Sequence, residues 1–276
     1  MDTLATFNTF TSSLKKDDNI MPVVFIGHGS PMNGIQHNEF SESWAKLGQE
    51  IPVPKAILVI SAHWLSIGTK ITSMNFPETI HDFGGFPKEL YEVQYPAPGN
   101  PELARETASI IQSTKVELDH DWGLDHGAWT VIRNMYPEAN IPVLQLSIDY
   151  TKGAGYHYEL AKELSSLRRK GVLIMGSSNM VHNLRLIAFD KIDENFGFDW
   201  AIEMNETFKQ NIINRNHDAL IHYENFGLAA KLAVPTPDHY YPLLYSLGLQ
   251  AENEEVRIFN DKLMAGSLTM TSLLIH

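Results

Sequence analysis

The sequence predicts an α/β protein: a single-domain α/β/α sandwich on a central mixed, largely parallel sheet. Two observations carry this. Short apolar runs that read as buried strands (PVVFI, KAILVIS, GVLIMG) alternate with segments of helical pattern, the mark of a sheet covered by helices. The 276 residues show no internal repeat, no low-complexity tract and no composition break that would mark a linker, so 21–276 reads as one domain with a sizeable core.

The elements follow in order. Residues 1–20, MDTLATFNTFTSSLKKDDNI, read as a polar N-terminal arm without the apolar core of a signal peptide. Residues 22–27 and 55–61 read as strands, with a helical pattern between them near 38–48. The β-branched content of 67–74 predicts another strand. Residues 75–100 form a long irregular stretch of Pro, Gly and aromatics, which reads as a packed wall or lid. Asn100-Pro101 opens a helix over 101–113 as cap and first turn. A short helix covers 127–135, a strand 141–147, a helix 154–169 and a strand 171–176. Residues 198–232 look mostly helical, and 255–260 and 267–275 read as closing strands that pair antiparallel to the rest.

Composition excludes several functions. Lys and Arg number 21 against 33 Asp and Glu, a net charge of −12, whereas nucleic-acid and anionic-membrane binding need clustered cations. The basic run Arg168-Arg169-Lys170 ends a predicted helix, where it complements the helix dipole. The absence of cysteine removes disulfides, thiolate metal sites, Fe–S clusters and thiol nucleophiles. No apolar run approaches the ~20 residues that span a bilayer, so the expected setting is cytoplasmic. There is no GxSxG elbow, P-loop or HExxH.

Histidines carry what chemistry remains. His28 ends PVVFIGHGSP and His63 ends KAILVISAHW; ligands of open α/β sheets bind outside the carboxyl ends of strands. Taken alone, His28 reads more readily as a hydrogen-bonded histidine of a strand-end turn, and His63 reads either as a site residue with Trp64 packed over it or as a surface imidazole beside a core Trp64. His182 follows GSSNMV, where Ser177, Ser178 and Asn179 read as helix caps; it is a candidate general base or a cap-region histidine without chemistry. His239 sits in PTPDHYYP, stiffened by three prolines, with Asp238 as its partner or a competing ligand. His126 lies in DWGLDHGAW near Asp119, Asp121 and Asp125, any of which is placed to orient an imidazole; taken alone, the segment reads as an acidic solvated loop. His81 falls in the aromatic loop, where it reads as a substrate contact. His37, His157, His217 and His222 fall on polar or helical stretches and read as solvated. With no cysteine, any metal is held by His, Asp or Glu, which suits zinc, manganese or non-haem iron.

Taken together, FIGHGSPM, ILVISAHW, FGGFPKELYEVQYPAPG, LDHGAW, NMVHNL and PTPDHYYPLLYSLG resemble, in order, the LigB-type extradiol aromatic ring-opening dioxygenases, in particular their 4,5-DOPA extradiol dioxygenase branch. The resemblance runs from about residue 21 to the end. It implies one catalytic domain with a mononuclear divalent metal, Fe(II) for dioxygenase activity and Zn(II) in the same donors. It maps metal ligands onto His28, His63 and His239, with His182 beside the metal as a base or further ligand. His126 becomes an acid/base or substrate contact, and His81 and Ser30 become substrate contacts. The implied partners are a small catechol and O2, with no nucleic acid and no membrane, in a monomer or homodimer. One departure stands out: ring-cleaving relatives that complete the iron site with glutamate are replaced here by the histidine of PTPDH. Two other readings remain at this stage. A zinc hydrolase or amidase would activate water instead of O2. A metal chelatase-like protein would use the GHGS turn, but leaves LDHGAW and PTPDHYYP without a part.

Overall fold

Six strands form the central sheet: β1 (Val23–Gly27), β2 (Ala56–Ser61), β6 (Val143–Gln145), β8 (Val172–Ser178), β9 (Val256–Phe259) and β12 (Ser272–Ile275). Their order is β6-β2-β8-β1-β12-β9. The first four run parallel, and β12 pairs antiparallel to both β1 and β9. The computed structural model describes residues 20–192 and 194–276, so the predicted arm, apart from Ile20, lies outside the described residues.

Strand residues alternate between two cores, which makes a three-layer α/β/α sandwich. Phe25, Leu58, Ile60, Ile174 and Leu273 face one core; Val24, Ile26, Val59, Met175 and Leu274 face the other. Both faces are dry, so the strands read as unbroken apolar runs. Helices α1 (Glu39–Glu50) and α4 (His126–Met135) bury Trp44, Leu47, Trp129 and Ile132 on the second face. On the first face lie α5 (Ala154–Glu163), α7 (Asp199–Ile213), α9 (Leu228–Ala233) and α10 (Tyr241–Gly248). The remaining helices are α2 (Lys88–Tyr91), α3 (Pro101–Ile110), α6 (Ser165–Arg168) and α8 (His217–Ile221).

Local chemistry sets the helix ends. Asn38 and Ser41 form a reciprocal capping box on α1. Asn100 caps α3 with Pro101 in the first turn, as the sequence predicts. The 154–169 helix breaks at Leu164 into α5 and α6. Three elements escape the sequence pattern. β5 (Val116–Asp119) pairs parallel to β4 (Thr69–Thr72), and α2 interrupts the aromatic loop. α10 follows directly on the proline-rich segment, where only a stiff loop is expected. Short pairs β3 (Leu65–Ser66) with β7 (Ile148–Asp149), and β10 (Leu263–Met264) with β11 (Leu268–Thr269), complete the strands.

Arg168 stands in the last turn of α6, as expected, where it is buried, ion-paired to Glu254, and donates to the carbonyls of Met21 and Leu249. His157 is not solvated; it is fully buried, its Nδ1 lies 3.2 Å from the Tyr245 hydroxyl and its ring packs on Tyr241. Both side chains fill helix seams that a single helical pattern does not display. His217 is half-buried against the Tyr158 hydroxyl, whereas His37 and His222 are exposed as expected.

Candidate metal centre

Parallel strands deliver the first two histidines. β1 ends at Gly27 and the next residue is His28, whose backbone N–H donates to the Ser178 carbonyl at 2.9 Å. Gly27 is required because a Cβ there would lie 2.6 Å from the Met270 backbone. Gly29 then turns the chain through φ +61°, in the left-handed region open to glycine. His63 stands two residues beyond β2, in a turn pinned where the Ala62 N–H meets the Ser177 carbonyl at 3.1 Å.

Loops deliver the others. Asp125 caps α4, accepting from the Ala128 N–H at 3.1 Å and from the Ser61 hydroxyl at 2.7 Å, and thereby places His126 in the first turn. Gly127 lets α4 close on the strand end, since a Cβ would stand 2.5 Å from Ser61 Oγ and 3.0 Å from the His63 ring. His239 ends a 3-10 turn, Pro237–His239, whose last carbonyl accepts from the Ser178 hydroxyl. His182 comes four residues after β8, its N–H bonded to the Ala233 carbonyl at 2.9 Å, and its ring stacks on His239 with centroids 3.5 Å apart. Ser177 and Ser178 thus close β8 and brace the site; they are not helix caps, because β8 runs two residues further than its apolar stretch.

The hydrogen bonds determine which nitrogen faces the cleft. Ser177 donates its hydroxyl to the Gly127 carbonyl, so it accepts from His28 Nδ1 at 3.0 Å and leaves His28 Nε2 with a free lone pair. Asp238 holds His239 Nδ1, so Nε2 is again the free nitrogen, and it is buried with no partner among the described residues. Asp82 faces His63 Nδ1 at 3.5 Å, and His63 Nε2 lies 3.2 Å from His28 Nε2. One donor atom from each of His28, His63 and His239 lies within 4.8 Å of the others. Lone pairs so crowded repel one another unless a cation sits among them. Two imidazoles bound to one tetrahedral ion at ~2.0–2.1 Å place their nitrogens roughly 3.3 Å apart, so the donor set fits a divalent metal.

The electrostatics agree with neutral imidazoles. Burial first, then the neighbouring histidines, holds His28 and His63 well below their ordinary pKa. Burial, then His239, lowers His182 to about 3. Burial works against the charge on Asp238, but its hydrogen bond to His239 outweighs it and holds the carboxyl down. Asp125, sealed in the protein, is raised to about 6 by burial and by Asp82.

The carboxylate beside His126 is Asp82, not the three acids of its own segment. Asp82 Oδ1 accepts the His126 N–H at 2.9 Å and lies 3.0 Å from His126 Nδ1. Asp119 instead accepts from the N–H groups of Asp121 and Trp122 in its own turn. Asp82 hides in the irregular aromatic loop, IHDFGGFP, where no periodicity flags it; its only signal is an acid amid residues that otherwise form an apolar wall. That wall is present: Phe83 meets the His126 ring at 5.6 Å and also contacts Phe86, Tyr91 and Trp129. Trp64 stacks on Trp122. Of the expected substrate contacts, His81 has Nε2 3.0 Å from the Val93 carbonyl inside the wall. Ser30 is exposed two residues beyond His28, accepting from the Met32 N–H at 3.2 Å.

Residues 22–271 match the family model described as the catalytic LigB subunit of aromatic ring-opening dioxygenase. The chain belongs to the LigB family. Its relatives include a 4,5-DOPA dioxygenase extradiol of Escherichia coli K12, 44% identical over 92% of this chain and 94% of that protein. Another of the same name, from Beta vulgaris, is 36% identical over 93% of this chain and 97% of that one. A crystal structure of an uncharacterized Escherichia coli K12 protein superposes with a TM-score of 0.80, at 39% identity, covering 93% of this chain and 100% of that one. This LigB chain is therefore an oxidoreductase of the dioxygenase type, from a metal-dependent family acting on small aromatic substrates with O2. Among the described residues no helix is long and apolar enough to cross a membrane.

Proposed function

We propose that this LigB enzyme cleaves the ring of a catechol, DOPA-like in shape, at an extradiol position, using O2 and one mononuclear non-haem metal held by His28, His63 and His239. The observation that carries the reading is the convergence of three imidazoles, with Nδ1 hydrogen-bonded in His28 and His239 and facing Asp82 in His63, whose donor atoms share one small space. Fe(II) supplies the redox and Lewis-acid chemistry; Zn(II) binds the same donors and is redox-silent.

The chain's own groups do the rest. His182 and His126 lie on two sides of the three donors, one stacked on His239 and the other 3.9 Å from the His63 ring. Burial keeps His182 unprotonated at neutral pH and free to take a phenolic proton as the catechol seats; His182, which then holds that proton, or His126, beside Asp82, would return a proton later in the reaction. In this reading Phe83 and Tyr91 wall the aromatic ring, and His81 and Ser30 are further candidate substrate contacts. The protein works in this reading as a monomer or homodimer of one catalytic domain, 21–276.

The test is O2 uptake with L-DOPA and a small panel of catechols, after stripping the protein and reloading Fe(II) anaerobically. Uptake matched one-to-one by a yellow semialdehyde product is expected. No uptake across the panel, with stoichiometric iron bound, would overturn the proposal and favour a metal-dependent hydrolase, which acts without oxygen.

A further inference from the structure

We propose that Asp82 is a positioning residue that serves the metal and the proton chemistry at once. One carboxylate oxygen orients His63, and the other orients His126. The roles of the two histidines rest on the reading above; the placement of Asp82 does not.

The two oxygens are divided between two rings. Oδ2 lies 3.5 Å from His63 Nδ1, and Oδ1 lies 3.0 Å from His126 Nδ1 while accepting the His126 N–H at 2.9 Å. Both ring approaches are close ion-pair contacts rather than aligned hydrogen bonds: among the described residues His126 Nδ1 is buried without a hydrogen-bond partner, which leaves the Asp82 carboxylate as the group it faces. An ionised carboxylate only accepts, so its position favours the tautomer in which each ring carries its proton on Nδ1 and leaves Nε2 unprotonated. For His63 that is the nitrogen facing His28. A carboxylate behind a ligating imidazole fixes its tautomer and raises its basicity. Asp82 is thus a mechanical link between a metal ligand and a proton carrier whose rings stand 3.9 Å apart.

The loop that brings Asp82 is built to hold it still. Residues 78–80 run beside 123–124: Leu124 N–H donates to the Glu78 carbonyl and Ile80 N–H to the Leu124 carbonyl, each at 2.7 Å. Gly123 permits this contact, since a Cβ there would fall 2.1 Å from the Glu78 oxygen. The Trp129 indole donates to the Ile80 carbonyl at 3.0 Å. Asp82 is therefore fixed to the same segment that carries His126, and reaches His63 across the cleft.

His63, Asp82 and His126 also group closely enough to suggest a second cation site. That alternative requires His63 to bind through Nδ1 while its Nε2 serves the first ion, which a neutral imidazole cannot do. Metal stoichiometry separates the two readings.

The variant Asp82→Asn keeps the shape but replaces one accepting oxygen with a donor, so it can satisfy only one of the two rings. Asp121→Asn, an exposed acid of the neighbouring turn, is the control of equal charge. In full-length protein, zinc titrations against a chromophoric chelator should give one ion per wild-type chain. Asp82→Asn should bind it roughly 10–100-fold more weakly, with Asp121→Asn unchanged. At saturating Fe(II), kcat with the catechol should fall by about tenfold or more while KM moves less than about threefold. Thermal unfolding of the metal-free proteins checks the fold, and Asp82→Ser is the second variant if Asp82→Asn misfolds. Unchanged zinc affinity in a folded variant would overturn the proposal. So would two zinc ions per wild-type chain, one of them lost in Asp82→Asn. The zinc measurement needs no turnover, so it tests Asp82 even if the catechol reading fails.

Discussion

Two groups of the centre are delivered by the sheet and four by loops, and the two parts are built differently. His28 and His63 stand at the ends of β1 and β2, on backbone whose partners are neighbouring strands. His126, His182, His239 and Asp82 come from a helix start, a post-strand turn, a 3-10 turn and an aromatic loop, each pinned by side-chain hydrogen bonds or backbone contacts between loops. The comparison teaches a division of labour. The sheet places two of the three candidate donor nitrogens, and the loops add the third, on His239, with the groups that surround them. This is the general economy of open α/β sheets.

The largest test of that division is metal retention. His28→Ala and His63→Ala should each abolish stoichiometric Fe(II) or Zn(II) binding, and with it turnover. His182→Ala and His126→Ala should keep near-stoichiometric metal and lose about 10²–10⁴-fold in kcat, the range of a missing acid or base. Metal analysis by mass spectrometry beside single-turnover kinetics reads both. If His182→Ala loses metal as completely as His28→Ala, His182 belongs with the ligands and the boundary between the parts moves.

A second test compares glycines. Gly27, at the end of β1, faces the Met270 backbone, and an added Cβ would meet it at 2.6 Å. Gly84, in the aromatic loop, has nothing within 4 Å. Gly27→Ala should destabilise the fold by about 1–3 kcal/mol, as overpacking does, and displace His28. Gly84→Ala should stay within about 0.5 kcal/mol. Denaturant unfolding of both variants checks this; equal effects would show that the sheet end is no more constrained than the loop.

The two parts were also unequally legible in the sequence. Continuous apolar runs announce strands buried on both faces, and their ends announce His28 and His63. The parallel sheet, the antiparallel closing strands and α3 follow from the same signals. What hides is what depends on tertiary contact. Asp82 lies 44 residues from His126, and no local pattern links them. Ser177 and Ser178 look like caps because a hydroxyl beside an apolar run serves equally in a helix start or a strand end. α10 is masked by prolines that suggest a stiff loop but sit comfortably in a first helical turn. β5 is a short, half-exposed strand paired with β4 alone among the described residues, and such strands carry little alternation.

The smallest effect concerns a histidine outside both parts. His157 is fully buried against Tyr241 and Tyr245, and burial, only partly offset by Asp149 and nearby backbone groups, lowers its pKa to about 4. Its value in the unfolded chain is about 6.5. The folded value is the lower one, so the unfolded chain takes up the proton first. The resulting stability is complete above about pH 6.5 and is lost as pH falls toward about 4. By about pH 5 the loss from this one group is on the order of 2 kcal/mol. Buried site histidines titrate in the same direction, so the useful quantity is the difference between wild type and His157→Gln. The variant begins less stable near pH 7.5, through lost packing, and should then lose less stability on acidification. Parallel curves for the two proteins would mean that His157 does not charge on unfolding in this window. The acid sensitivity would then belong to the cleft alone.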